Sequence, residues 1–383
     1  MNNRNEIVIT GFRDRLVMLY IENDKIFDVL LEEKPTDEQP VVGNIYVGKV
    51  HNIIQNINAA FVEVKKDVIC YLPLSECNGR TITCGEEIVV QVRKAAVKDK
   101  QAVVTLYPEI AGRFCVISAK NSIKSISRKI EDRETRERLQ AVLAEFKDEE
   151  YGIVLRTNAG AASDFEITEE CRSLLSDLHE QLDYSKYKTC FSLLRREDSF
   201  YLKYIRSCQL ENIERIITDR EDIYQELHSV YGEKAVFYQD TSYPLDKLLG
   251  ISSKLEKALE KKVWLKSGGN LVIEPTEALT VIDVNTGKAI DGKRNKETTF
   301  FKMNCEAARE AARQIRMRNI SGIILIDFID MQKRKHQNEL MELLRAELAK
   351  DKTKTVLIDI TKLGLVEITR MKKNKPLWEI LRQ

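Results

Sequence analysis

The sequence predicts a multidomain protein that joins an all-β module to mixed α/β modules. Three observations predict it. The 383 residues are too many for one small core, and about two to four domains are expected. Between residues 43 and 110, short strand-like runs recur at regular spacing, as in a small barrel. From Leu279 to Met331, two short aliphatic strands flank an amphipathic helix.

The elements follow in order. EIVIT, LVMLYIE and KIFDVLL read as a strand meander, separated by polar turns containing Gly11 and Asp24. EEKPTDEQP, with its two prolines, marks a boundary. Five strand candidates come next: NIYVGKVHNII, AAFVEV, VICYLPL, EEIVVQVRK and QAVVTLYPEI. From Arg113 to about Lys188 strands and helices mix. EDRETRERLQAVLAEF is a charged amphipathic helix with Leu139, Val142, Leu143 and Phe146 on one side. YGIVLRTNAGAASDFEITEE runs strand, small-residue turn, helix. Ser163 with Glu166 has capping-box spacing, and Thr168 is a second candidate N-cap. FYLKYIR, IERIITDR, DIYQELHSVY and AVFYQD form a further strand and helix set between Phe191 and Ile251.

The two late strands carry the chemistry. LTVIDVN (Leu279 to Asn285) and GIILIDFIDM (Gly322 to Met331) read as buried strands, each with an aspartate among apolar residues. Side chains alternate along a strand, so Asp283 and Asn285 share a face and Ile282 and Val284 take the other. A carboxylate in such a setting is costly unless paired, hydrogen-bonded or bound to metal. Two of them with an adjacent amide suggest an oxygen-ligand site for a hard cation such as Mg²⁺. The competing reading pairs them with arginines of the intervening helix, which runs from about Thr298 to Arg318. Phe301, Cys305, Ala308, Ala312 and Ile315 make its apolar face, and Arg309, Arg313 and Arg316 a second stripe. Arg309 and Arg313 are expected to pair with Glu306 and Glu310. The loop TGKAIDGKRNKET supplies Lys288, Lys293, Arg294 and Lys296 beside the aspartates, as a polyanionic ligand needs; an ordinary solvated loop has the same composition. Earlier in the chain, Arg156 and Thr157 reach a Gly-Ala turn, where a guanidinium fork and a hydroxyl suit phosphate. A solvated strand end is the alternative.

Composition narrows the classes. Lys plus Arg total 61 against 60 Asp plus Glu, so charge must act through local clustering. No apolar run reaches the length of about 18 residues that a membrane span requires, and the N-terminus carries no signal-like apolar core. The expected location is the cytoplasm. Eight cysteines without a Cys-x-x-Cys pair read as free thiols of a reducing compartment. The four histidines lie in polar surroundings and give an acid–base histidine pair little to work with.

TEALTVIDVNTG, the helix containing EAAREAARQIRMRN, the run SGIILIDFIDM and then LGLVEITR together resemble the catalytic region of the ribonuclease E/G family, from about Ser252 to Arg370. The resemblance implies an endoribonuclease that hydrolyses single-stranded RNA to 5′-phosphate and 3′-hydroxyl ends, in RNA processing and mRNA decay. It implies Asp283 and Asp327 as ligands of catalytic Mg²⁺, with Asn285 on the scissile phosphate. GNIYVGKV, AAFVEV and YLPL resemble the S1-type OB-fold, and Phe61, Tyr71 and Lys100 fall on that fold's RNA-contact positions. For Phe61 and Tyr71, ordinary barrel core is the other reading. Lys65, Lys66 and Cys70 stand where the family has glycines, so a different turn is expected there. Arg156 and Thr157 match the family's 5′-monophosphate sensor.

The implied architecture is an RNase H-like subdomain (1–38 and 191–251) with an S1-type barrel (39–110) and a 5′-sensor region (111–190) inserted. A DNase I-like α/β catalytic domain (252–383) follows. The family's Cys-Pro-x-Cys zinc link after the second aspartate has no counterpart here, since the last cysteine is Cys305. No structural zinc is therefore expected, and any homo-oligomer is a dimer formed by packing, with Leu377, Trp378 and Ile380 as apolar contacts. Two rivals remain at this level: a non-catalytic RNA-binding scaffold and a purely structural protein.

Overall fold

The computed structural model describes residues 5–32, 39–77, 80–96, 100–147, 149–287 and 296–381. The chain forms two compact units, one made of Met1–Glu33 with Glu211–Gln383 and the other of Lys34–Leu210. Most of the EEKPTDEQP boundary segment lies outside the described residues, as do Lys288, Lys293 and Arg294.

In the first unit, the meander Asn5–Phe12, Arg15–Glu22 and Lys25–Leu31 continues into a five-stranded sheet through parallel pairing with Arg215–Thr218 and then Ala235–Phe237. Its turns sit at Arg13 and at Asn23–Asp24, all with positive φ; Asn and Asp tolerate that conformation best among residues with a Cβ. Gly11, read as a turn residue, lies within the first strand. Val8, Leu19 and Ile26 pack with Leu255 and Leu377. Leu377 and Ile380 thus pack within the chain, and Trp378 joins the neighbouring core. Leu377 is buried there, while Trp378 and Ile380 are only partly buried.

The same unit holds a six-stranded sheet in the spatial order Lys262–Trp264, Asn270–Pro275, Leu279–Asn285, Gly322–Asp327, Val366–Arg370, Thr355–Ile360. Only the two aspartate strands pair in parallel, as expected where a long helix connects them. That helix, Lys296–Met317, lies against one face with Ala307, Ala308, Ala311 and Ala312 buried, so that helix and sheet approach closely. Leu340, Leu344 and Leu348 of the helix Arg334–Ala349 complete the core.

Among the described residues the opposite sheet face is open. Ile323 is 50% exposed, and Val356 and Ile358 are exposed as well. The expectation of buried strands is therefore corrected: each is covered on one face only. Aliphatic residues on the open face had hidden the alternation.

In the second unit, Ile45–Ile54, Ala59–Lys65, Val68–Pro73, Glu87–Lys94 and Val103–Thr105 form a five-stranded barrel, closed by pairing of the first strand with the fourth. QAVVTLYPEI divides at Pro108 between the last barrel strand and Glu109–Ala111 of the next sheet, as befits a residue with no N–H for a ladder. The turn that lacks the family's glycines is made by Asp67 at φ +65°, its N–H bonded to Glu63 at 2.9 Å. A four-stranded sheet follows, packed with the helices Arg133–Ala144 and Asp164–Ser185. Ser163 and Glu166 form the expected capping box, whereas Thr168 is buried inside that helix and caps nothing. No helix among the described residues is long and apolar enough to cross a membrane.

Candidate active site

Parallel pairing sets Asp283 directly beside Asp327 on the open sheet face, with adjacent strands about 4.8 Å apart. The neighbours Ile282, Val284 and Ile326 point into the core below. Asn285 shares the aspartates' face and donates Nδ2–H to Asp283 Oδ2 at 2.6 Å. Among the described residues, one amide hydrogen and the amide oxygen remain for an outside group.

Partial burial and the like charges of Asp283 and Asp330 push the Asp327 carboxyl above the usual carboxylate range. The helix arginines do not neutralise this pair. Arg313 binds Glu310 with contacts of 2.5–3.2 Å, and Arg316 binds Asp28 at 2.7 Å. Arg309 reaches the Cys305 carbonyl; its expected partner Glu306 accepts instead from the N–H groups of Lys266 and Ser267.

Two side chains on the long helix hold the segment after Asp327, and neither was singled out from sequence. Fully buried Asn304 takes both backbone groups of Ile329: its Nδ2 donates to the carbonyl at 2.7 Å, and its Oδ1 accepts from the N–H at 3.1 Å. Glu297 accepts from the backbone N–H of Gln332 and Lys333, each at 3.1 Å, and lies 3.0 Å from His336 Nδ1. These bonds hold its carboxyl below the ordinary range, the backbone donors contributing most. His336 in turn stacks on Phe301 with ring centroids 4.4 Å apart. The available signal was an asparagine within an apolar helical stripe, since a buried amide needs partners.

On the other side of the site, Gly269 abuts Asn285. A Cβ there would stand 2.7 Å from the Asn285 carbonyl oxygen and 2.9 Å from Met303 Sδ. Gly287 adopts φ +57° in the same place, and a Cβ there would clash with the Gly268 carbonyl oxygen. Backbone packing thus sets the position of Asn285.

In the other unit, Phe61 and Tyr71 pair across adjacent barrel strands with ring centroids 6.2 Å apart at 79°. The barrel core comprises Ala60, Val62, Val64, Cys70 and Leu72, so both rings stand on the outer surface, half-exposed. Lys100 is exposed. Arg156 precedes the short turn Thr157–Ala161. Its half-buried guanidinium donates to the Gly112 carbonyl, and burial holds its pKa below the ordinary arginine value. Thr157 is exposed, its hydroxyl 3.1 Å from Ser127 Oγ. Arg138, also missed, braces this turn by donating to the carbonyls of Ala159, Gly160 and Ala162.

A carboxylate pair with an amide on the same face is an oxygen-donor site on an α/β sheet, and the separate unit carries a closed, OB-like barrel. The Ribonuclease E/G family pattern matches residues 109–373, and the chain belongs to that family. Over 94% of its length it is 33% identical to Ribonuclease G of Haemophilus influenzae, covering 78% of that protein. Ribonuclease G of Escherichia coli is 31% identical over 98% of this chain and 81% of its own length. Ribonuclease E of a Nostoc species is 31% identical over 88% of this chain and 52% of its own. Asp283, Asn285, Asp327, Arg156 and Thr157 fall within the family match; Phe61, Tyr71 and Lys100 precede it.

Proposed function

We propose that this chain is a Mg²⁺-dependent endoribonuclease that hydrolyses single-stranded RNA to 5′-phosphate and 3′-hydroxyl ends. The carrying observation is the register that sets Asp283 beside Asp327, with Asn285 on the same open face. Relatives named Ribonuclease G and Ribonuclease E support the substrate.

The donor set fits a hard cation. It is all oxygen, and a cation would offset the burial and the like charges of Asp283 and Asp330 that together raise the Asp327 carboxyl. Asp283 and Asp327 would hold the ion. Bound Mg²⁺ supplies Lewis-acid stabilisation of the phosphate and orients the attacking water. The chain's own groups do the rest. Asn285, anchored through one N–H to Asp283, directs its second N–H at a phosphate oxygen without adding negative charge. Asn304 and Glu297 hold the segment after Asp327 so that its carboxylate keeps its place. Water attacks phosphorus, the bond to the 3′ oxygen breaks, and that oxygen takes up a proton.

The outward aromatics Phe61 and Tyr71 support stacking of single-stranded bases on the barrel, with Lys100 as a phosphate partner. Arg156 and Thr157 are proposed to read a 5′-monophosphate, with Arg138 fixing their turn. The proposed arrangement is the RNase H-like, S1, sensor and DNase I-like order of the family, and the proposed location is the cytoplasm. Cleavage of a single-stranded RNA by wild type, Asp283→Asn and Asp327→Asn tests the reading. Loss in both variants with RNA binding retained is expected; near-normal turnover in both removes the assignment.

A further inference from the structure

The hairpin at the sheet edge carries an aromatic on the aspartate face that the reaction so far leaves without a role. Val263 packs into the core with Leu271 and Val284, its partners across the sheet. Its neighbours Lys262 and Trp264 must therefore take the opposite face. Register places Lys262 in one row with Val272, Asp283 and Asp327, and Trp264 in the next row with Asn270 and Asn285. Trp264 is 65% exposed, and Lys262 Nζ lies 4.1 Å from its ring centroid. A tryptophan so exposed gains nothing from core burial.

The hairpin is also rigid. The Glu306 carboxylate accepts from Lys266 N–H at 2.6 Å and from Ser267 N–H at 3.1 Å, tying the hairpin loop to the long helix. Leu265 is buried and closes the loop through bonds to Gly268 and Gly269. A flat ring held still beside a cation suits a nucleobase, which stacks on the ring while the ammonium meets the phosphate of the same nucleotide. Two strand spacings separate Trp264 from Asn285, roughly 10 Å. An extended strand covers that span with a nucleotide or two.

We propose that Trp264, with Lys262, forms a base-stacking subsite that fixes the nucleotide next to the scissile phosphate in single-stranded RNA. The inference rests on the endoribonuclease reading and adds a specificity-determining position to it. Short RNAs carrying one abasic nucleotide at successive positions around the cleavage point test it. Wild type is expected to lose about 10-fold in kcat/KM at one position, mostly through KM. Trp264→Ala should show that loss with every substrate and be indifferent to the abasic site, while Trp264→Phe stays near wild type.

A second readout avoids turnover. The chain has two tryptophans, Trp264 and Trp378, and the second packs against the core. In Asp283→Asn, single-stranded RNA should quench tryptophan fluorescence, and Trp264→Phe in that background should abolish the quench. Unchanged kcat/KM in Trp264→Ala, or RNA binding without quenching, overturns the subsite. A wild type that cleaves no RNA removes the function it serves, and the quench still decides whether a base stacks there.

Discussion

The aspartate face and the turn after Arg156 both present polar side chains at the end of a strand, yet they differ in what those groups have left to offer. At the Arg156 turn, Arg156 donates to the Gly112 carbonyl, and Arg138 of the helix Arg133–Ala144 is engaged with the carbonyls of Ala159, Gly160 and Ala162. At the aspartate face, two carboxylates repel each other, and among the described residues Asn285 donates to Asp283. On the proposed reading, the unrelieved charge does the chemistry and the internally satisfied charge shapes a recognition surface. Removing a group should therefore cost far more on the first surface than on the second.

The largest effect belongs to the carboxylates. Asp327→Asn should lower single-turnover cleavage by at least on the order of 10³-fold without loss of thermal stability at neutral pH. Because the Asp327 pKa is raised on folding, the folded chain holds that proton more tightly than the unfolded one. This group's contribution to stability falls as pH rises from the ordinary carboxylate range through the raised value. Thermal melts from pH 3 to 8 should show the fall in wild type and not in the variant. An inactive variant that is also less stable at neutral pH would point to a structural carboxylate.

Next comes Asn285→Ala, expected to slow cleavage on the order of 10²–10³-fold, as for loss of one preorganised donor. A smaller loss, about 10²-fold, is expected for Asn304→Ala, seen in kcat with KM preserved. It should also lose about 1–3 kcal/mol of stability, since both backbone groups of Ile329 lose their partner. A change in KM alone would separate Asn304 from the site. The smallest effect is on the sensor side: Arg156→Ala should remove a preference of about 10-fold for 5′-monophosphorylated over 5′-hydroxyl RNA. The 5′-hydroxyl substrate itself should be cleaved as before. Equal wild-type rates on the two substrates would return Arg156 to a purely structural role.

These surfaces were unequally legible. Period-two alternation in LTVIDVN shows that Asp283 and Asn285 share a face, and capping-box spacing locates the start of the helix after Ser163. That Asp327 stands beside Asp283 depends on parallel register across a long helix, which periodicity does not encode. The open face was hidden because Ile323 and Leu325 are as apolar as the core residues between them. Asn304 went unnoticed because its partners are backbone atoms of a segment that adjoins it only in the folded chain. Trp264 carried no pattern either; its face follows from hairpin register and from Val263 turning inward.

The central claim is hydrolysis at the aspartate pair, and the chemistry of the RNA ends tests it most directly. An end-labelled single-stranded RNA is incubated with wild type and with Asp283→Asn, with Mg²⁺ and with chelator, and both new termini are mapped. The expected result is cleavage by wild type with Mg²⁺ alone, leaving 5′-phosphate and 3′-hydroxyl ends. Cleavage that persists in chelator, or ends that carry a 2′,3′-cyclic phosphate, would place the reaction with a ribose hydroxyl and contradict the account.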